Sequence, residues 1–463
     1  MALEEQDNNN GQAHPVTAGQ EVEIDIDSLT SKGLGVGRYQ GFVIMVGGTY
    51  PGDTARIEIT DVKKKFAFGR LQLLTDPSSQ RVSPFCPVAS ICGGCPLQVL
   101  SYPEQLRWKL NRVKRAFMKV RSLKSVSLPE VIGAKQVRGF RNKAQLPVRR
   151  EDKRLVLGFF TAGTHDLVPI DGCPVQLASI DSLIKPITRI LEKSGLVPYN
   201  EKKRSGELRH VLIEGSSLSD GVVVTLVTHS RDVAGLRQVA LKLMSRAGVE
   251  GVVHNVQGSQ TNVIVGNEFY LVSGREIIEE SVSGTQFMRP SGGFFQVNSY
   301  QTGILLAEAR RLAGDGKRSC IVDLFCGVGV FACFLADLAD RCLGVEFSQR
   351  LVDYAKMNAG RLKLSNTGFM CADADTGMDT ILKKHAPDLV VVDPPRRGLS
   401  EELISILTSS PSVKQVLYIS CQPENLARDL GRLLKGGFRV GEISCVDLFP
   451  HTPHVETVVR LDR

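Results

Sequence analysis

The sequence predicts a multidomain α/β protein with a small N-terminal β-barrel, a central α+β domain and a C-terminal doubly wound α/β domain. Its 463 residues exceed what one hydrophobic core supports. Short alternating apolar runs between glycine-rich turns fill the N-terminal part, whereas the C-terminal third alternates buried strands with helices. We therefore predict a disordered tail at residues 1–15, the barrel at 16–75, the central domain at 76–283 and the doubly wound domain at 284–463.

The composition of the chain indicates which binding partners and which cellular compartment to expect. Lys and Arg total 57 against 49 Asp and Glu, a net charge of +8, which fits a polyanionic partner or an ordinary basic enzyme equally well. The chain shows no signal sequence and no run of 18 apolar residues, so we expect a cytoplasmic monomer without a membrane partner. In that compartment eleven cysteines indicate metal ligation, catalysis or burial rather than a disulfide scaffold.

Three alternating apolar runs predict the N-terminal barrel, which ends near Leu74. They are Val22, Ile24 and Ile26, then Phe42, Ile44 and Val46, then Ala55, Ile57 and Ile59. A glycine-rich insert at 32–38, a turn at 51–53 and a basic stretch at 63–70 accompany them. Together these features resemble the TRAM domain, an OB-like RNA-binding barrel, and the resemblance implies RNA as the ligand. A solvated basic loop on an ordinary barrel is the alternative.

Four cysteines form a candidate metal site. Cys86, Cys92 and Cys95 lie in a stretch rich in Gly and Pro, and Cys173 stands in a second turn beside a proline. Four thiolates can hold zinc or an iron-sulfur cluster. Zinc sites usually come as two paired knuckles, whereas three clustered cysteines with a distant fourth are typical of a ferredoxin-type cluster. The pattern therefore favours a [4Fe-4S] cluster in the central domain, and its spacing is not that of radical enzymes.

A helix is predicted at residues 102–121, with an apolar stripe on one side and cations elsewhere. The stripe consists of Leu106, Leu110, Val113 and Phe117, and the cations are Arg107, Lys109, Arg112, Lys114, Arg115 and Lys119. Basic faces of this kind are usually solvated, but further cations around Phe140 suit phosphate contacts and base stacking. The central strands are predicted at 155–160, 209–214, 221–228, 252–256 and 261–265.

The C-terminal third carries a pattern for a nucleotide-like ligand. Strands are predicted at 320–325, 342–347, 369–373, 389–393 and 413–420. Gly327 and Gly329 follow the first of these and permit close approach of a ligand to the backbone. Glu346, about 20 residues later, can bind two ribose hydroxyls. This pattern alone fits NAD as well as S-adenosylmethionine, and a purely structural glycine turn is a third possibility.

The loop after the fourth strand separates these ligands. It reads Asp393-Pro-Pro-Arg396, and in many methyltransferases such a loop lines the pocket where a substrate base meets the methyl donor. A dinucleotide dehydrogenase has no reason to place this stiff loop there. Asp373 is then expected on the adenine side, and Gln296 precedes the first helix of the domain.

Two further residues complete the candidate site. Cys421 lies where a buried strand ends and a helix begins with Pro423 in its first turn, so the helix dipole is expected to favour the thiolate. Glu456 belongs to a late His-x-Glu-Thr sequence at the start of a strand, where its carboxylate can point inward. A buried cysteine and a solvated glutamate are the bland alternatives.

These motifs, in this order and over nearly the whole chain, resemble the RNA uracil-C5 methyltransferase family. The closest resemblance is to the cluster-containing branch acting on 23S ribosomal RNA, since the transfer-RNA branch is usually shorter and lacks barrel and cluster. The resemblance implies a Rossmann-like class I methyltransferase domain with Cys421 as nucleophile and Glu456 as general base. The implied donor contacts are Gln296, Phe325, Glu346 and Asp393, and the implied cluster ligands are Cys86, Cys92, Cys95 and Cys173. Val330 departs from the family, whose members often have Asn there.

The implied chemistry explains these residue types. Uracil C5 is a weak nucleophile, so a Cys421 thiolate adds to C6 and makes C5 reactive, and Glu456 later removes the C5 proton. The target uridine must lie in a loop or be flipped out, and the cluster is expected to be structural. A transfer-RNA uridine is an alternative substrate. A nicotinamide-dependent iron-sulfur oxidoreductase and a non-catalytic RNA-binding protein are alternative functions, although retention of both side chains argues against the latter.

Overall fold

The computed structural model describes residues 14–30, 33–152, 154–162 and 164–463. The predicted disordered tail, apart from its last two residues, lies outside this part of the chain, as does Lys32 of the glycine-rich insert. The chain divides into two compact units. The first consists of Met1–Pro84 and Cys95–Glu104, and the second of Phe85–Gly94 and Gln105–Arg463.

The first unit contains the predicted barrel. Its strands are β1 (Glu21–Leu29), β2 (Gly35–Tyr39), β3 (Phe42–Val46), β4 (Thr54–Val62) and β5 (Phe66–Asp76), closed in the order β1-β2-β3-β5-β4. The side chains of Ile24, Ile44 and Ile57 are buried in its interior, as the alternating runs predict. At Gly69 a Cβ atom would lie only 2.7 Å from Cδ1 of Ile57, so a larger residue there would force the Ile57 side chain to move.

The amino-terminal part of the second unit contains a seven-stranded sheet in the order β13-β12-β11-β10-β7-β8-β9. The elements are α1 (Tyr102–Met118), β6 (Val131–Ile132), β7 (Lys143–Glu151), β8 (Arg154–Phe160), β9 (Leu167–Pro169), α2 (Ala178–Glu192), β10 (Leu208–Gly215), β11 (Val222–Thr228), α3 (Leu236–Met244), β12 (Val249–Val256), β13 (Glu268–Gly274), β14 (Ile277–Val282) and β15 (Thr285–Pro290). Strands β14 and β15 form a separate hairpin.

One predicted strand is wrong. Residues 261–265 are irregular, and β12 pairs instead with β13. The reason is that side chains after and within β12 bond this segment: the Gln257 amide donates to the carbonyl of Val263 (2.9 Å), and the Asn255 amide donates to that of Gly266 (3.0 Å). These bonds satisfy backbone groups that a strand would otherwise pair.

The remaining elements form the predicted doubly wound domain. They are α4 (Ser299–Ala313), β16 (Arg318–Leu324), α5 (Val330–Phe334), β17 (Ala339–Glu346), α6 (Gln349–Arg361), β18 (Thr367–Cys371), α7 (Met378–His385), β19 (Leu389–Val392), α8 (Glu401–Ser409), β20 (Gln415–Ser420), α9 (Pro423–Lys435), β21 (Arg439–Val446) and β22 (Glu456–Asp462). The sheet order is β18-β17-β16-β19-β20-β22-β21-β6. Val322 and Ile321 of β16 enter two different hydrophobic cores, so the sheet is covered on both faces.

Strand β6 lies far before this domain in the sequence but pairs with the edge strand β21, Val131 opposite Cys445. Helix α1, which precedes β6, contributes Val113 and Phe117 to a core of the same sheet. Residues of the predicted central domain therefore complete the edge and one face of the C-terminal sheet. The boundary at 283/284 stays a prediction.

The cations of α1 are distributed differently from the expected solvated face. Lys109 and Arg112 are buried, with 0% and 3% of their surface exposed, whereas Leu106 of the predicted apolar stripe is only partly buried. The expectation is wrong for these two cations because acidic partners, Asp447 and Glu424, pair with them. No helix in the described residues is long and apolar enough to span a membrane.

Candidate active site

The predicted site residues meet at one edge of the C-terminal sheet. Phe325, Glu346, Asp393 and Cys421 end or directly follow the parallel strands β16, β17, β19 and β20. The chain proceeds outward from β16 to β17 and β18, and then returns to the other side of β16 for β19 and β20. Ligands of doubly wound sheets bind at this reversal, at the carboxyl ends of the strands.

The glycine turn after β16 is tied to Glu346. Its carboxylate accepts hydrogen bonds from the N–H groups of Gly327 and Ser348, both at 3.1 Å. Burial raises the pKa of Glu346, although these N–H donors oppose the shift. Gly329 has φ +85°, and a Cβ atom there would lie 2.8 Å from the ring of Phe369. The turn therefore requires glycine at position 329, and Glu346 holds the turn in place.

Asp323 is a buried site residue that the sequence reasoning missed. One carboxylate oxygen accepts a hydrogen bond from the N–H of Ala332 (2.9 Å), and the other has no partner among the described residues. Burial raises the pKa of Asp323 well above its usual range, and the nearby carboxyls of Asp393 and Glu346 add to the effect. A charged residue within the apolar strand β16 was the available signal, because such a residue is rarely buried without a function.

The segment before α4 brings Gln296 to the site. Its amide donates to the carboxylate of Asp393 (3.1 Å), which follows β19. Burial raises the pKa of Asp393 to about 7, with the Gln296 hydrogen bond acting in the opposite direction. Asn142, which the sequence reasoning did not single out, donates from its side chain to the Gln296 carbonyl (3.1 Å) and from its backbone to the Val297 carbonyl (2.9 Å). The central strands thus fix this segment.

Asp373 lies in a turn after β18 and follows Ala372, whose N–H donates to the carbonyl of Glu346 (3.0 Å). Its side chain is exposed and accepts a hydrogen bond from the N–H of Asp375 (2.9 Å), so it stabilises the local turn. A role on the adenine side stays a prediction for this residue.

Cys421 lies at the predicted junction between β20 and α9, and Pro423 is the first residue of the helix. Burial raises the pKa of its thiol to about 12, and the carboxyl of Glu456 adds to the effect, whereas Arg396 opposes it. Burial therefore keeps the thiol protonated in the ligand-free protein. The contribution of the helix dipole to the thiolate stays a prediction.

Glu456 begins β22 and points into the protein, as predicted, with 3% of its surface exposed. Its Oε2 atom is buried without a hydrogen-bond partner in the described part of the chain. Burial and the neighbouring Asp393 raise the pKa of Glu456 well above its usual range, and Arg396 opposes this. An unpartnered buried carboxyl oxygen costs stability, which is typical of a group kept for a ligand.

Arg396 and His454 complete the site. The Arg396 guanidinium lies 3.0 Å from Nε2 of His454. Burial and then the Arg396 charge lower the pKa of His454 to about 3, so the imidazole is neutral at physiological pH. Arg396 thus acts on the thiol, the carboxyl and the imidazole together. Arg396 lies in the Asp-Pro-Pro-Arg loop and His454 in the His-x-Glu-Thr sequence, but neither motif indicates a role for them.

The predicted cluster ligands divide between the two units. Cys86, Cys92 and Cys173 belong to the second unit, and Cys95 to the first. Burial raises the pKa of Cys173 to about 11, and the nearby Cys86 and Cys92 contribute in the same direction. The N–H of Gly94 donates to the sulfur of Cys92 (3.4 Å), a bond that suits a thiolate. Across the residues described above, no group of three or more His, Cys, Asp or Glu side chains is placed to hold a metal ion.

Comparison with known proteins gives the family. The profile of the tRNA (Uracil-5-)-methyltransferase family matches residues 101–463, which include β20, β22 and the loop at Asp393. The chain belongs to this family. The TRAM domain profile matches residues 15–72, so the barrel of this methyltransferase is a TRAM domain, as predicted.

Individual relatives agree with the family. An RNA methyltransferase of Bacillus cereus is 35% identical over 452 residues, covering 97% of this chain and 98% of the relative. One from Clostridium acetobutylicum is 34% identical over 454 residues, covering 97% and 98%. The crystal structure of the Pyrococcus abyssi tRNA (uracil-54, C5)-methyltransferase in complex with S-adenosyl-L-homocysteine is similar with a TM-score of 0.72 and 27% identity, covering 95% of this chain and 100% of that one.

Family membership confirms an S-adenosylmethionine-dependent RNA uracil-C5 methyltransferase and decides against the oxidoreductase alternative. The length of the chain does not favour ribosomal RNA over transfer RNA, however. The match to the transfer-RNA enzyme of Pyrococcus abyssi leaves only 5% of this chain unmatched, which is about 23 of its 463 residues. The barrel strands of this chain contain more residues than that. Chain length and a barrel therefore do not separate the two substrates.

Proposed function

We propose that this methyltransferase modifies uridine through a covalent bond between Cys421 and C6 of the base. The observation that carries the proposal is the register of β20 and β22, which places Ser420 opposite Thr457. Cys421 follows the first of these residues and Glu456 precedes the second, so the thiol and the carboxyl extend from the same end of two neighbouring antiparallel strands. Residues so related lie within reach of one ligand.

The proposed steps assign one task to each side chain. The Cys421 thiolate forms a bond to C6, and the electron density moves to C5, which takes the methyl group. Glu456 then accepts the C5 proton, the C5–C6 double bond re-forms and the bond from sulfur to C6 breaks. Both groups carry raised pKa values in the ligand-free protein. Arg396 lowers both, so we infer that it assists ionisation of the thiol and the carboxyl once the base is bound.

S-adenosylmethionine supplies the methyl group when bound. We infer that Gln296, Phe325, Glu346 and Asp393 bind it beside the turn of Gly327 and Gly329, with Asp373 on its adenine side. Support comes from the fixed carboxylate of Glu346 and from the buried, unpartnered oxygen of Asp323, since both offer acceptors to a ligand's hydroxyl or ammonium groups.

For the substrate we propose a structured RNA, with 23S ribosomal RNA as the first candidate from the motif resemblance. Transfer RNA is the second candidate, and the similar Pyrococcus abyssi enzyme favours it. We also propose a cytoplasmic location and a monomeric enzyme.

The two candidate RNA substrates are distinguished by trapping the covalent complex between the enzyme and RNA. Fragments of ribosomal RNA and whole transfer RNA, each carrying 5-fluorouridine, are incubated with the enzyme and S-adenosylmethionine and run on a denaturing gel. Fluorine cannot leave C5 as a cation, so the enzyme stalls as a covalent adduct on its true substrate. We expect no adduct from Cys421→Ala and an undiminished one from the exposed control Cys371→Ala. Turnover by Cys421→Ala at the wild-type rate would refute the assignment of Cys421 as the nucleophile.

We further propose that Cys86, Cys92, Cys95 and Cys173 hold a [4Fe-4S] cluster. Support comes from the four thiols, which lie in turns, and from the hydrogen bond that the N–H of Gly94 donates to the sulfur of Cys92. The described residues show no group of side chains already placed around a metal ion. Protein purified without oxygen should contain four irons and four sulfides per chain. Cys92→Ser should lose them and Cys371→Ser keep them, whereas zinc or a metal-free chain would contradict the assignment.

A further inference from the structure

Helix α1 carries a buried polar face that the proposed reaction does not explain. Gln105, Lys109 and Arg112 are spaced at i, i+4 and i+7, so they lie on one side of the helix, and all three are buried. Burying two cations on one helix is costly unless each is paired and hydrogen-bonded. Their partners lie more than 300 positions away in the sequence.

All three side chains bond the segment that leads to the proposed base. The Gln105 side-chain oxygen accepts the N–H of His451 (2.9 Å). Lys109 donates to the carboxylate of Asp447 (2.5 Å) and to the carbonyl of Phe449 (2.9 Å). These bonds fix the chain at alternate residues between β21 and β22.

Arg112 makes the last bond of this series and also reaches the nucleophile segment. Its Nη1 donates to the carbonyl of Pro453 (2.7 Å), three residues before Glu456. Its Nε and Nη2 donate to the two oxygens of Glu424 at 3.0 and 2.7 Å, and Glu424 lies in the first turn of α9, three residues after Cys421. One guanidinium therefore bonds both segments.

The pairing with Glu424 involves both oxygens of its carboxylate, so it acts as a brace, meaning a contact that fixes the distance between the two segments. Burial alone would raise the pKa of Glu424, but the hydrogen bonds and the charge of Arg112 outweigh it and lower the pKa. A planar guanidinium that grips both oxygens of a carboxylate fixes distance and angle, which the single ammonium of lysine does not.

We propose that Arg112 is a positioning residue that sets the spacing between Cys421 and Glu456 during methyl transfer. It touches neither the base nor the donor in this scheme and acts through the Pro453 carbonyl and the Glu424 carboxylate. The inference rests on the proposed roles of Cys421 and Glu456. This role differs from that of an RNA-binding cation, because losing an RNA contact weakens binding whereas losing a positioning residue slows the reaction of the bound complex.

The test compares Arg112→Gln with Arg112→Lys and with a control variant, Arg115→Gln. Arg115 is an exposed cation of the same helix. Single-turnover methyl transfer into unmodified RNA gives the rate, and calorimetric titration gives the dissociation constant of S-adenosylmethionine. We expect Arg112→Gln to slow methyl transfer by about 100-fold, the cost of a small misplacement of reacting groups. The donor constant and the KM for RNA should change less than threefold. Arg112→Lys should have a rate of methyl transfer between those of Arg112→Gln and the wild type. Arg115→Gln should have the wild-type rate.

Glu424→Gln tests the two contacts of Arg112 separately, because it weakens the contact with the segment that carries Cys421 and leaves the bond to the Pro453 carbonyl in place. We expect slower adduct formation on 5-fluorouridine RNA for Glu424→Gln. Arg112→Gln should additionally let the methylated adduct accumulate on ordinary uridine, since proton removal is slowed as well. If Arg112→Gln does not fold, Arg112→Lys and Glu424→Gln carry the test.

An unchanged rate in the folded variants, or a loss confined to the KM for RNA, would overturn the inference. These outcomes remain distinct from a failure of the proposed function. A wild-type enzyme that forms no adduct on any 5-fluorouridine RNA would refute the covalent mechanism, while the methyl-transfer rates of the Arg112 variants would still report on the brace.

Discussion

The reactivity of Cys421 in the ligand-free protein provides a quantitative test of the site's electrostatics. Burial and the Glu456 carboxyl raise the pKa of its thiol to about 12, against 9.0 for the unperturbed group. Three pKa units correspond to about 4 kcal/mol in favour of the protonated thiol. At pH 8, about one Cys421 in 10,000 is then a thiolate, compared with about one in ten for an unperturbed cysteine.

Substituting Glu456→Gln removes the second largest cause of this shift and leaves burial, the largest, in place. The substitution therefore lowers the pKa of the thiol and raises the thiolate fraction, while burial keeps that pKa above its ordinary value. Replacing the Glu456 carboxyl by an amide of nearly the same shape leaves the thiol buried, so access of a reagent should change little.

The assay is a short pulse of iodoacetamide at pH 8, followed by mass spectrometry of the cysteine-containing peptides. The exposed Cys371 reports the labelling of an accessible thiol in every sample. We expect Cys421 to react at least about 1,000-fold more slowly than Cys371 in the wild type, and faster in Glu456→Gln. The exposed variant Glu402→Gln should behave as the wild type. Equal Cys421 rates in the wild type and in Glu456→Gln would refute the reasoning.

Three further outcomes follow from the geometry. Glu456→Gln should accumulate a methylated covalent adduct with ordinary uridine RNA on denaturing gels, because addition precedes proton removal; free product at the wild-type rate would exclude Glu456 as the base. The pKa of Asp393 is raised from 3.8 to about 7 on folding, so its ionisation removes stability as pH rises through 7. Asp393→Asn should therefore raise Tm at pH 8 and have little effect at pH 4, and equal shifts at both would contradict this. Gly329→Ala should destabilise the fold by about 1–3 kcal/mol in denaturant titrations, since the backbone there has positive φ and the ring of Phe369 is close; an unchanged midpoint would show that the turn relaxes.

Local signals in the sequence were sufficient to predict several parts of the site. Cys421 lies between a strand and a helix because apolar residues end at Ser420 and Pro423 starts the next helix, and both features are visible in a few adjacent residues. The same holds for Glu456 at a strand start and for the glycine turn at Gly327. In each case the decisive interactions are made by neighbours in the chain.

Features that depend on distant residues could not be predicted in this way. Lys109 and Arg112 look like solvated cations by helical periodicity, because their partners Asp447 and Glu424 lie 338 and 312 positions away. The raised pKa of Cys421 likewise depends on desolvation by the assembled fold rather than on the adjacent helix. Asp323 stands out within an apolar strand, but its burial and the oxygen without a partner among the described residues emerge only from the folded chain.

The pairing of β20 with β22 limits how such a protein can change over evolutionary time. Successive residues of a strand face opposite sides of the sheet, so one residue inserted between Glu456 and Thr457 would turn the carboxyl to the other face. Two inserted residues would restore the face but move the carboxyl along the sheet by about 7 Å. Point substitutions around this pair can accumulate gradually, whereas insertions and deletions there eliminate activity in a single event.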